Sequence, residues 1–361
     1  MDEIEQLLAK TLDQQQSGAL GDIHLKAGGP IWIRRDGELV RLSAEIVPGE
    51  AVSAFARKVL REDQWERFER GMAVDTSYGL GAVARFRAHL FHTYGGMTII
   101  LRAIPLEIPS LETLNLPREL LSLVKLDSGL VLIGGGARAG KSTTLAAIVE
   151  AINERCAHHI VILEDPIEFL YRDRRASISQ VEVGTDVESL SVGLDRAIRE
   201  DANVVVVGAI GQPRGIEQLV PLAEGGCLVL ATVEANDTAA LLTSCLEAVS
   251  GERRAALAAA LGRNLQLVMC QKMVVRAGGG GVVPITEMAW GCRPLAEWLE
   301  LGGSSSRLRE LLEKGTASYG TYSFDQSLMK RLRMREIDTQ AAMDAATDTV
   351  PFERMVASGL D

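Results

Sequence analysis

Gly129 to Thr144 reads GLVLIGGGARAGKSTT. The apolar run Leu130 to Ile133 predicts a strand buried on both faces. It runs into Gly135, Gly136, Ala137, Arg138, Ala139, Gly140, Lys141 and Ser142, a G-x-x-x-x-G-K-S loop. Glycines let successive backbone N–H groups close around phosphate oxygens. Lys141 brings a point charge to the β and γ oxygens, and the Ser142 hydroxyl suits Mg²⁺. A helix predicted from Thr143 through Glu150 adds the positive end of its dipole at the same place. Strand, loop and helix in this order predict a P-loop nucleotide site binding ATP with Mg²⁺, with Ser142 as metal ligand and Gly135 to Thr143 as the phosphate cradle.

The chain has 361 residues, long enough for two cores, with 24% charged residues and a net charge of −10. That acidity argues against nonspecific nucleic-acid binding. No stretch approaches the ~18 apolar residues of a membrane span, and the acidic start MDEIEQLLAK is unlike a signal peptide. Cys156, Cys227, Cys245, Cys270 and Cys292 are scattered with no CxxC pair, which predicts reduced cysteines in a cytosolic protein and no zinc site.

From the N-terminus, Ile4 to Gln16 predicts a short amphipathic helix. Gly21 to Leu25, Ile31 to Arg34 and Glu38 to Leu42 alternate as strands, with Asp36-Gly37 a hairpin turn. Pro48 to Arg70 predicts helix, with Phe55, Val59 and Phe68 on one side. Val74 to Tyr78, Ala84 to Leu90 and Met97 to Leu101 return to strands. Residues 1–104 therefore predict an α+β domain with an antiparallel sheet. Residues 105–117, with three prolines, predict a linker. From Arg118 on, strands alternate with helices, the pattern of a parallel α/β sheet. Ile160 to Leu163 is one buried strand, ending in Glu164-Asp165-Pro166-Ile167-Glu168 where open α/β sheets bind ligands. Val204 to Val207 and Leu228 to Ala231 are two more. Gly278 to Gly281 is hairpin-length. The expected domains are 1–104, 118–336 and a tail, 337–361, weakly patterned and expected to fray.

The chain resembles the secretion and type IV pilus motor ATPases, most of all their PilT/PilU twitching-motility branch, over roughly residues 18–332. The resemblance is carried by Gly21-Asp22-Ile23-His24-Leu25, Arg34-x-Asp36-Gly37, Arg85-Phe86-Arg87, Leu101-Arg102-x-Ile104-Pro105 and the phosphate loop with Thr143-Thr144-Leu145. The acidic box Glu164 to Phe169, Gln180-x-Glu182-Val183-Gly184, Ala197 to Asp201 and Ser323 to Leu328 follow in order. It implies an N-terminal PAS-like domain and a C-terminal RecA-like ATPase domain, in a homo-hexamer binding ATP between subunits. It implies a cytoplasmic motor, peripheral at the inner-membrane pilus base, that works on the pilus platform protein. It also implies roles for Glu164 as base or water-positioning group and for Arg85, Arg87 and Arg102 as fingers reaching a neighbour's phosphates.

The chain departs from that pattern at defined places. Where the family has Glu-Met-Arg-Asp it has Ala209-Ile210-Gly211-Gln212, so the Walker B glutamate is missing. The family's Gly-Thr-Leu-His-Thr is Ala231-Thr232-Val233-Glu234-Ala235, a carboxylate in place of the histidine that faces the γ-phosphate. Arg138 stands at a usual glycine and His92 at a usual arginine. Losing one preorganised group commonly lowers a rate about 10²- to 10³-fold, so slow hydrolysis is expected. The alternative is a hydrolysis-deficient ring subunit that regulates an active PilT paralogue.

Overall fold

The computed structural model describes residues 3–13, 22–35, 38–81, 84–104, 107–210 and 215–359. Gln14 to Gln16, Gly21, the turn Asp36-Gly37, Pro105, Gly211 and Gln212 lie outside the described residues. The chain divides into two units, the first taking Met1–Glu107 with a short return at Pro166–Leu170, the second Ile108–Asp165 and Tyr171–Asp361.

Unit 1 runs α1 (Glu3–Asp13), β1 (Asp22–Lys26), β2 (Gly29–Arg35), β3 (Glu38–Val47), α2 (Gly49–Val59), α3 (Glu62–Glu69), β4 (Val74–Leu80), β5 (Ala84–Thr93) and β6 (Gly96–Ile104). The six strands form one sheet in the order β3-β2-β1-β6-β5-β4, antiparallel throughout. Alternation sends Ile23, Leu25, Phe86, Leu90, Ile99 and Leu101 into a core with Leu8 of α1, Phe55 of α2 and Phe68 of α3. Phe55 meets Tyr78 edge to face at 5.1 Å. The odd positions of β5 and the even ones of β6 and β1 leave Arg85, Arg87, Arg102, Asp22 and His24 on the opposite face. The expected helix over Pro48 to Arg70 is two helices. Leu60 is extended and buried, and the Arg61 N–H donates to Gln64 Oε1 at 3.2 Å to restart the helix.

Unit 2 opens with a 3₁₀ helix (Arg118–Lys125), then β7 (Gly129–Gly135), α4 (Lys141–Arg155), β8 (His159–Glu164), β9 (Ser177–Glu182), α5 (Leu190–Arg199), β10 (Val204–Ile210), α6 (Ile216–Glu224) and β11 (Leu228–Glu234). It continues with α7 (Thr238–Glu247), α8 (Glu252–Asn264), β12 (Leu265–Val275), β13 (Val282–Trp290), α9 (Arg293–Leu301), α10 (Ser305–Lys314), α11 (Thr316–Tyr319), α12 (Phe324–Arg333), α13 (Thr339–Ala345) and α14 (Thr349–Gly359). The sheet order is β13-β12-β7-β11-β10-β8-β9, parallel except for β13. Both faces are buried. Leu130, Leu132, Val161, Val205 and Val229 face one core, while Val131, Ile133, Ile160, Val206 and Leu230 face the other. That explains strands that read as continuous apolar runs rather than alternating ones. Leu111 and Leu116, from the stretch expected as linker, are buried in the second of these cores.

Residues 338–359 carry two helices packed on the first core. Asp338 caps α13 through Ala341 N at 2.7 Å, Asp325 Oδ1 accepts from Thr347 N at 3.0 Å, and Phe352 is fully buried in the first core. Ala342 anchors α13 and Phe352 anchors α14 in that core, a signal too sparse for periodicity to register.

Candidate functional site

Strand β7 lies between β11 and β12, so the loop that leaves its end is held from both sides. Gly140 takes φ +84°, a left-handed backbone that favours glycine, and a Cβ there would sit 2.8 Å from Gln271 Nε2. Arg138 takes φ +63° with an exposed side chain. That left-handed backbone, at a position the family gives to glycine, costs about 1 kcal/mol. Lys141 Nζ donates to the carbonyls of Gly135 and Gly136 at 2.8 and 2.9 Å. Around Gly136 a Cβ would meet nothing within 4 Å, so the mouth of the loop is open. An ammonium resting on carbonyls and an open cradle at a helix N-terminus fit a phosphate chain.

Sequence reasoning missed Gln271. Fully buried on β12, it donates through Nε2 to Ala139 O at 2.7 Å and accepts through Oε1 from Thr144 Oγ1 at 2.9 Å. It ties the loop to the first turn of α4. The available signal was an amide, Gln271, midway along the largely apolar stretch Leu265 to Val275. Beside it opens a cleft reaching Gly140 and Thr143, walled by Leu114, Met273 and Pro284, with Asn115 and Arg276 at its polar edge.

The neighbouring strand ends carry the other candidates. On β11, Glu234 pairs in register with Gly135 and is exposed, while Ala235 N donates to Gly135 O at 3.4 Å. Thr232 Oγ1 donates to Gly208 O. On β10, Ala209 is exposed and offers only a methyl group. Glu164 ends β8 almost fully buried, and its Cγ lies 2.6 Å from where a Cβ on Gly208 would stand. In the strand order Glu164 is not next to the loop's own strand. Strands β11 and β10 intervene, roughly 14 Å at the backbone from three strand spacings. Among the described residues no group of three or more His, Cys, Asp or Glu could hold a metal.

Arg85, Arg87 and Arg102 lie in unit 1. Arg102 forms a fork on Asp22, Nε–Oδ1 2.7 Å and Nη2–Oδ2 3.2 Å, and that bond holds the Asp22 carboxyl below its usual range. Burial pushes the His24 imidazole down. Arg85 Nη2 donates to Ser77 Oγ at 2.9 Å, while its buried Nε has no hydrogen-bond partner. Arg87 lies 4.0 Å from Asp75. His92 stacks on Phe68 at 4.3 Å with Nε2 3.1 Å from Phe68 O, a structural position.

A RecA-like sheet delivering this loop defines a P-loop nucleotide-binding protein. Comparison with known proteins narrows the class. Residues 1–280 match the family described as Type II/IV secretion system protein. The Type IV pilus retractation ATPase PilT of Pseudomonas aeruginosa is 32% identical over 280 residues, 78% of this chain and 80% of the relative. The Type IV pilus ATPase PilU of the same organism is 29% identical over 349 residues, 96% and 90%. The crystal structure of the pilus retraction motor PilT with bound ADP superposes with a TM-score of 0.88 at 28% identity, covering 98% of this chain and all of that one. The chain belongs to the type II/IV secretion system protein family, on its PilT/PilU-like twitching ATPase branch. Among the described residues no helix is long and apolar enough to cross a membrane.

Proposed function

We propose that this chain is an ATP-binding subunit of a hexameric motor of the pilus retraction class, with slow hydrolysis. The observation that carries the reading is the phosphate loop, with Lys141 resting on two carbonyls that phosphates would replace. The nucleoside takes the cleft beside Thr143, and the phosphates run over Gly135 to Ser142. When bound, Mg²⁺ neutralises phosphate charge, held by Ser142 and the nucleotide's oxygens. Arg85, Arg87 and Arg102 of an adjoining copy face the phosphates across a head-to-tail ring contact. Two domains at 1–104 and 118–336 serve as the ring's two contact bodies. The motor works at the cytoplasmic side of the pilus base, on its platform protein.

Ala209 and Glu234 favour a second reading, a nucleotide-binding regulator of an active paralogue, since neither residue supports hydrolysis. Steady-state ATP turnover beside equilibrium nucleotide binding on one sample separates the two. Binding without turnover selects the regulator. Lys141→Ala weakens binding in either case, and unchanged affinity in that variant removes the loop as the site.

A further inference from the structure

We propose that the site holds a nucleoside diphosphate more tightly than the triphosphate, because Glu234 opposes the third phosphate. The inference rests on the nucleotide reading above and sharpens its ligand.

The geometry orients the ligand. The only end of the loop that opens onto the described cleft is the Gly140 to Thr144 end, so the nucleoside enters there. The phosphate chain then runs toward Lys141 and the strand end at Gly135, and the third phosphate comes nearest that end. Glu234 stands there. Its backbone partner across the ladder is Gly135, about 4.8 Å away at a normal strand spacing. Its side chain is exposed, with no salt bridge among those of the described residues. Gly135 O, the carbonyl that Lys141 grips, also accepts from Ala235 N, so the carboxylate's backbone and the phosphate-binding lysine share one anchor.

On the next strand, Ala209 supplies no oxygen to a Mg²⁺ that would mask the third phosphate's charge. Glu234 therefore meets a like charge that Mg²⁺ on Ser142 offsets only in part. A diphosphate ends one group earlier and keeps Lys141 without the opposition. With the carboxylate exposed and its field damped by water, the discrimination expected is about tenfold.

Titration of the full chain with ADP and with ATP, by calorimetry at matched ionic strength, tests this. Expected is an ADP dissociation constant about tenfold below that for ATP. Glu234→Gln and Glu234→His should each bring the two constants together, chiefly by tightening ATP. Raising salt should narrow the ratio in the wild type, as charge repulsion is screened and a steric block is not. ATP binding as tightly as ADP, or a ratio untouched by both variants, overturns the inference while leaving nucleotide binding intact. Binding of neither nucleotide overturns the proposed function itself, and this inference with it.

Discussion

Replacing Gln271 with leucine keeps the volume of the side chain and deletes both hydrogen bonds that fix the phosphate loop. Ala139 O loses the Nε2 donor at 2.7 Å and Thr144 Oγ1 loses the Oε1 acceptor at 2.9 Å. Both residues are buried, at 6% and 1% exposure, so water does not replace the lost partner. Leaving a buried polar group unsatisfied costs about 1–3 kcal/mol each. The added apolar contact of leucine offsets part of this, which leaves about 2–4 kcal/mol. In a unit of this size that lowers the melting temperature by roughly 5–12 °C. Urea denaturation of wild type and variant, read by far-ultraviolet circular dichroism, measures it through the shift in midpoint at constant slope. Nucleotide affinity should fall as well, because the backbone that cradles the phosphates is no longer pinned. Gln271→Glu should do no better, since a carboxylate oxygen then faces Ala139 O. A leucine variant within 0.5 kcal/mol of wild type, with unchanged affinity, refutes the argument that this amide organises the loop.

Three further outcomes follow from the same structure. Arg138→Gly relieves the φ +63° backbone and should raise stability by up to about 1 kcal/mol, less the entropy glycine adds to the unfolded chain; a loss in thermal melting refutes it. Phe352→Ala empties a fully buried site and should cost about 3–5 kcal/mol in chemical denaturation, with protease cutting after Asp338; an unaffected melt would return the tail to a loose end. Asp22 is held low by Arg102, so its stabilisation is complete above the pH where a free Asp ionises and is lost as pH falls through the lowered folded value. Asp22→Asn should thus lie below wild type by up to about 1 kcal/mol at neutral pH, Arg102 being largely exposed, with the gap closing in acid; a gap independent of pH contradicts the linkage.

Much of this was legible in the sequence because the signals were local. Strand, glycine loop, Lys141 and helix sit within sixteen consecutive positions, and β8, β10 and β11 announced themselves as apolar runs. Strand order was not local. Nothing between residues 129 and 164 says that β10 and β11 insert between β7 and β8, so Glu164 read as a neighbour of the loop and is three strands off. Gln271 was hidden for the same reason, since its partners lie 132 and 127 positions earlier. The break at Leu60 was missed because both halves carry helical spacing and only the buried turn separates them.

Unit 1 includes Pro166–Leu170, whose Ile167 and Phe169 are buried at 7% and 6% exposure. A ribosome making this chain releases Glu107 long before it releases that return segment. The first unit therefore waits, unfinished, while β7, α4 and β8 are synthesised, and the usual order in which an N-terminal domain matures before its successor begins does not apply. The same delay sets a rule for anyone cutting the chain. A fragment ending near residue 107 lacks a segment that belongs to its own unit, and the complementary fragment carries two buried apolar side chains assigned to the missing piece.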